Sequence, residues 1–363
     1  MSGDAVSGDA MSGDAVSGAA QRRADRERPP SLTPSEGRWT RLVNILDERE
    51  APTSLAMIRI AVAIVLLADW FTALRLGLVP TIWGPSTAGG LGAADTWADP
   101  PLFQVLFGAS TTATWTVFAI AVAATITLGI GLMTRTSALV VALASAQLAM
   151  AMGQSDRGID IALRIVLMLL ACSGAGARWS LDARLRHGTF TPELTVPAWP
   201  RYLIILQLLW MYFGAGLHKT QSAWWPQGDL SALYIILRDP HFATADFASL
   251  DALYTATQLG TFATMLFELG APLMGLSLWY RRTRERPGRL RRWFNRLRVG
   301  EIWLALGIAF HIGLMFTLRL GIFPYGMLAF YPAFFPPSEL DRGLERVRGL
   351  IERVRLRLAK TRT

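Results

Sequence analysis

Eight runs of predominantly apolar residues, most of them near the length needed to cross roughly 30 Å of hydrocarbon as a helix, constrain this chain more than anything else in it. They fall at about 54–79, 113–133, 137–153, 159–176, 198–218, 253–280, 301–319 and 321–337, the third and last being short or interrupted by proline. In lipid the backbone groups of a spanning segment must be satisfied within it, so such runs predict helices. Composition agrees: with 52% apolar and 17% charged residues among 363, the chain has too little polar surface for a soluble fold. The fold class expected is an all-α polytopic membrane protein with about eight transmembrane helices.

The net charge of +9 invites a nucleic-acid reading, but the basic residues stand in blocks between the apolar runs. Arg281 to Arg298 holds nine arginines, whereas Pro80 to Thr112 has no basic residue. Cytoplasmic loops collect Lys and Arg. Eight crossings with both termini cytoplasmic satisfy every block, placing the protein in the cell membrane, with lipid rather than nucleic acid as its partner. Residues 1–37, a repeat rich in Gly, Ser and Asp, lack the apolar residues to build a core and read as disordered. Residues 38–337 form the expected membrane domain. In 338–363, Leu340, Leu344, Val347, Ile351, Val354 and Leu358 make an apolar stripe on a basic helix, suited to lying on anionic lipid or to a short coiled coil.

Ionisable residues inside the runs are costly and therefore candidates for function: Arg59, Asp69, Asp160, Arg164, Glu268 and His311. Asp160 and Arg164, four apart on one helix face, can neutralise each other. Glu268, in FELGAP beside the helix-bending Pro272, can pair with Arg59. A lone buried His311 is an interior hydrogen-bonding group or a ligand. Four scattered histidines and one cysteine, Cys172, give no metal-ligand spacing, so no metal is expected.

Lys219 stands out because only two of the 36 basic residues, Lys219 and Lys360, are lysine. Arginine keeps its proton in proteins, whereas a desolvated lysine can act as a general base; the alternative is a snorkelling anchor at a helix end. Gly214, Ala215 and Gly216 permit close helix approach just before it, and Trp224 and Trp225 follow.

Three blocks in order then resemble the HTTM domain, the membrane domain shared with vitamin K-dependent gamma-carboxylases: Trp179-Ser180-Leu181-Asp182; Tyr212, Phe213, Ala215, Gly216 and Lys219 with Trp225 and Gly228; and Phe310-His311 with Gly321, Phe323, Pro324, Tyr325, Met327, Leu328, Ala329 and Pro332. The resemblance implies that Lys219 is the base that deprotonates reduced vitamin K or menaquinone, with O2 and CO2 as co-reactants. It also implies that Tyr212, His218, Trp225, Gly228, Glu268 and His311 surround the substrate, leaving Arg59, Asp160 and Arg164 to structural ion pairs. The carboxylases carry a large extramembranous domain after the membrane part, and an Asn-His pair where QSDRGID stands here. The expectation is therefore quinol chemistry on a smaller substrate, or a non-enzymatic role in maturing or exporting a small secreted peptide, as in bacterial HTTM proteins associated with toxin peptides.

Overall fold

The structure, a computed structural model, describes residues 37–92, 100–246 and 250–360; the repeat expected to be disordered lies, but for Gly37, outside the described residues. The apolar runs become helices α1 (Thr53–Arg75), α2 (Thr111–Ile130), α3 (Thr134–Ala151), α4 (Gly158–Cys172), α5 (Trp199–His218), α6 (Tyr254–Leu269), α7 (Ala271–Arg282), α8 (Val299–Thr317) and α9 (Phe323–Ala329), followed by α10 (Pro337–Lys360). By length and composition α1, α2 and α8 can cross a membrane, and a fourth span forms if the pair bent by 51° at Gly270 counts as one. The bend has a local cause. Pro272 enters the first turn of α7, where its missing N–H is tolerated only at a helix start.

The last expected span is not one helix. Residues 321–337 form α9, then a 3-10 turn Tyr331–Phe334, because Pro332, Pro336 and Pro337 cannot continue an α-helical ladder. This broken segment still runs antiparallel to α1. Gly321 packs beside the guanidinium of Arg157, which binds Asp69 near the end of α1, while the Phe335 carbonyl accepts from Ser54 at its start. Ser54 and Asp69 are separated by about 22 Å along a helix.

Charges are neutralised differently from the sequence expectation. Asp160 does not pair with Arg164. It sits in the first turn of α4, accepts from the Arg157 backbone N–H at 2.9 Å and binds the Arg157 side chain at 2.8 Å, and Arg157 bridges to Asp69 at 2.7 Å. Side chains lean towards a helix N-terminus, so Arg164 reaches back to Asp156 at 2.6 Å. Arg59 is fully buried but has no carboxylate within ion-pair distance among the described residues. Its guanidinium donates to the carbonyls of Ala175 (3.0 Å), Arg178 (3.5 Å) and Trp179 (2.6 Å).

That turn carries the first motif block, whose part is structural. Ser180 caps the helix Leu181–His187, and Asp182 accepts from the backbone N–H groups of Met133 and Thr134, closing the start of α3. Burial pushes the Asp182 carboxyl up, but these hydrogen bonds outweigh it and hold it below the usual carboxylate range. At the same arginine-rich end a short ladder pairs Arg49 with Pro197 and Glu50 with Val196. Arg201 binds Glu50 at 2.7 Å, Arg281 binds Glu339, and Arg282 binds Glu48.

Candidate functional site

Lys219 ends α5, and the small residues before it decide what it meets. A Cβ on Gly216 would lie 2.9 Å from Leu269 Cδ2 and 3.2 Å from Glu268 Cβ, so only glycine lets α6 approach this closely. The approach brings Glu268 opposite the lysine. Lys219 Nζ donates to Glu268 Oε2 at 2.5 Å and lies 4.7 Å from the centroid of the Trp224 ring. With side chains 16% and 6% exposed, the two charges have given up most of their hydration, and each depends on the other. Glu268 therefore pairs with Lys219 and not with Arg59.

The pair faces a cavity of about 300 Å³ between α5, α6, α8 and α9, roofed by Trp224, Leu233 and Ile236. Besides Lys219, Glu268, Trp224, Thr264 and Tyr212 its lining residues are apolar, Phe310 and Phe323 among them. An ammonium has three donors. One is used by Glu268, and the ring of Trp224 attracts the charge without accepting a conventional hydrogen bond.

Behind the wall lies a buried chain of hydroxyl and imidazole groups. Tyr212 Oη is 2.7 Å from His311 Nε2 and 3.1 Å from Tyr331 Oη, and His311 Nδ1 finds no partner among the described residues. Gly307 makes room for Tyr331, since a Cβ there would fall 2.2 Å from its hydroxyl.

Of the residues singled out in the sequence, Tyr212, Lys219 and Glu268 line the cavity, and His311 stands one hydrogen bond behind it. Trp225 and Gly228 shape the loop instead. Trp225 Nε1 donates to the Lys219 carbonyl at 2.8 Å, and Gly228 lies so close to the Ser222 backbone that a Cβ would fall 2.4 Å from it. His218 is exposed, bonds the Gly214 carbonyl of its own helix at 2.8 Å and does not line the cavity. Asp160, Arg164 and Arg59 do not line it either.

The sequence reading missed Tyr331 and the position of Trp224 over the ammonium. It also held a usable signal against the Arg59–Glu268 pair. Glu268 is fourteen residues from Arg282 and Arg59 six from Thr53, both counted from the arginine-rich end, a difference of about 12 Å in depth at 1.5 Å per residue. Among the described residues no group of three or more His, Cys, Asp or Glu could hold a metal ion. The sequence profile of the HTTM domain matches residues 48–338. No curated protein and no solved structure matches the chain.

Proposed function

The chain belongs to the HTTM domain family, and from that premise we propose that its cavity binds the ring of a reduced quinone and that Lys219 accepts a proton from the quinol hydroxyl. The observation that carries this reading is the desolvated Lys219–Glu268 pair facing an otherwise mostly apolar cavity. A volume of about 300 Å³ is at the lower end for small-molecule sites, enough for a bicyclic ring but not for an isoprenoid tail. Bound there, a quinol supplies the reducing electrons that, with O2, drive carboxylation by CO2 in the carboxylases this family resembles.

The residues handle the proton without stranding a charge. At rest the pair is ammonium and carboxylate. As Lys219 takes the hydroxyl proton it passes its shared proton to Glu268 Oε2, so the carboxyl becomes neutral and the ammonium remains beside the new phenolate. Trp224, Phe310 and Phe323 orient the ring and keep water out. A small cavity favours this reading over one in which a secreted peptide lies inside, so peptide maturation or export is the second reading.

The eight-crossing topology in the cell membrane, with both termini cytoplasmic, belongs to the same proposal; the course of residues 321–335 along α1 supports the eighth crossing. In a Cys172→Ala background, cysteine at Ala245 then labels from outside with an impermeant reagent and cysteine at Glu285 does not; the reverse result removes the topology. For the chemistry, purified protein is incubated with reduced menaquinone and O2 and assayed for the quinone epoxide. Turnover in wild type that is lost in Lys219→Arg supports the proposal. No epoxide, or equal rates, removes it and leaves the peptide role to be assayed.

A further inference from the structure

A second cavity, of about 840 Å³, opens at the arginine-rich end between α7, α8 and the helix Arg289–Arg296. Five arginines line it, Arg281, Arg284, Arg292, Arg296 and Arg298, against one acid, Glu301. Arg281 is engaged by Glu339 and Arg298 by Glu301 at 3.0 Å. The side chains of Arg284, Arg292 and Arg296 have no hydrogen-bond or ion-pair partner among the described residues, so three cations line a concavity that no described carboxylate neutralises. Its deeper wall is apolar, formed by Met274, Leu278 and Leu304.

The helix beside it is placed to meet a bilayer surface. Leu290, Trp293 and Leu297 recur at spacings of three and four and are 53%, 54% and 44% exposed, forming an apolar face on an otherwise arginine-rich segment. Such a helix lies in the interface with its apolar face in the lipid and its cations at the level of the phosphates. The ligand chemistry follows from combining the two features. Guanidinium groups bind phosphate oxygens in bidentate fashion, and an apolar wall behind them suits the first carbons of an acyl ester rather than a hydrated free anion.

We propose that this cleft is a binding site for the phosphate headgroup of an anionic phospholipid. It is separate from the Lys219 cavity, and it stands or falls independently of the quinol reading. A fixed lipid at this position would hold the 283–298 segment against α7 and α8.

The test uses the full chain, purified in detergent, with phosphatidylglycerol, phosphatidylcholine or inorganic phosphate added, and bound lipid counted by native mass spectrometry. Wild type is expected to retain phosphatidylglycerol over phosphatidylcholine. Arg284→Gln/Arg292→Gln is expected to lower that preference about tenfold or more, since each interfacial arginine contributes substantially to attraction for anionic lipid. Arg286→Gln/Arg289→Gln removes the same charge from the same segment outside the cleft and should leave the preference within about threefold of wild type. Elution as a monodisperse peak and an unchanged melting temperature keep both variants interpretable. Equal retention of the two lipids by wild type overturns the proposal. So does equal loss in both double variants, which would mean diffuse charge attraction, or displacement of the lipid by millimolar inorganic phosphate, which would mean a free-anion site.

Discussion

Arg59 is a buried and Lys219 a partly buried cation within one helical bundle, and the protein treats them in opposite ways. Arg59 is 0% exposed, and its guanidinium meets three backbone carbonyls of the 175–179 turn, away from the lining of the Lys219 cavity. Lys219 meets one carboxylate and one aromatic face and borders a void. A cation whose two terminal nitrogens are held by three backbone carbonyls fixes the backbone that surrounds it, even with the Arg59 Nε–H left without a partner among the described residues. One with spare donors beside an empty apolar space is available to a ligand. The same difference separates α2 to α4, each an unbroken helix, from the half around the cavity, where α6–α7 is bent and the 321–335 segment is broken. Discontinuous helices place polar groups at depth, where binding sites in membrane proteins form.

The largest effect is expected of Lys219→Arg. Arginine reproduces the charge, the bond to Glu268 and the interfacial reach, so expression and melting temperature should stay near wild type. It cannot take part in the proton exchange, because guanidinium does not release a proton to Glu268 as an ammonium can. Quinol turnover should fall by about 10²- to 10⁴-fold, the usual loss for a positioned general base. Wild-type turnover in this variant would make Lys219 as structural as Arg59.

The complementary change is Arg59→Met. It removes the donors to the buried Ala175 carbonyl and the partly buried Arg178 and Trp179 carbonyls, and a buried group left unpaired costs about 1 to 3 kcal/mol. A stability loss of about 3 kcal/mol or more is expected in detergent unfolding curves, with turnover per folded molecule unchanged. An Arg59→Met protein that melts like wild type but has lost turnover would reverse the two assignments.

Gly214 and Gly216, two residues apart on α5, differ in the same way. Nothing lies within 4 Å of a Cβ on Gly214, whereas one on Gly216 meets Leu269 and Glu268. Gly216→Val should force α5 and α6 apart, costing about 1 to 3 kcal/mol by overpacking and lowering turnover by lengthening the Lys219–Glu268 contact. Gly214→Ala should leave both unchanged. Equal melting temperatures for the two would mean that the close approach of α5 and α6 does not hold the pair together.

Much of this architecture was legible because lipid allows a spanning chain few options. The apolar runs at 54–79, 113–133 and 301–319 correspond to α1, α2 and α8 within a few residues. The broken ends of 253–280 and 321–337 were signalled only by prolines, whose effect on direction depends on what packs against them. Lys219 was legible from its rarity, and Glu268 from the cost of burying it. Their pairing was not, since which charges meet depends on depth and on the lateral order of helices, neither of which a single sequence states. His218 shows the limit of adjacency. The next residue along a helix points about 100° away, and His218 is exposed while Lys219 turns inwards.

The smallest effect expected is that of Tyr331→Phe, and it tests whether the hydroxyl chain behind the cavity belongs with Lys219 or with Arg59. Tyr331 Oη contributes one hydrogen bond, 3.1 Å to Tyr212, and Tyr212 retains the shorter 2.7 Å bond to His311 when it is lost. One buried hydrogen bond is worth about 0.5 to 1.5 kcal/mol, or roughly 2 °C in melting temperature for a chain of this size. The phenylalanine ring keeps its edge contact with Phe334 and occupies nearly the same volume. Tyr212→Phe should cost more, because it removes both bonds and leaves His311, whose Nδ1 is already without a partner among the described residues, with neither nitrogen satisfied. If the chain is structural, the two variants lower stability in that order and turnover per folded molecule stays within about threefold, under 1 kcal/mol in the barrier. If Tyr331→Phe instead lost turnover by two orders of magnitude at unchanged melting temperature, protons would have to pass through Tyr212 and Tyr331. Lys219 and Glu268 would then be one station on a longer path rather than its end.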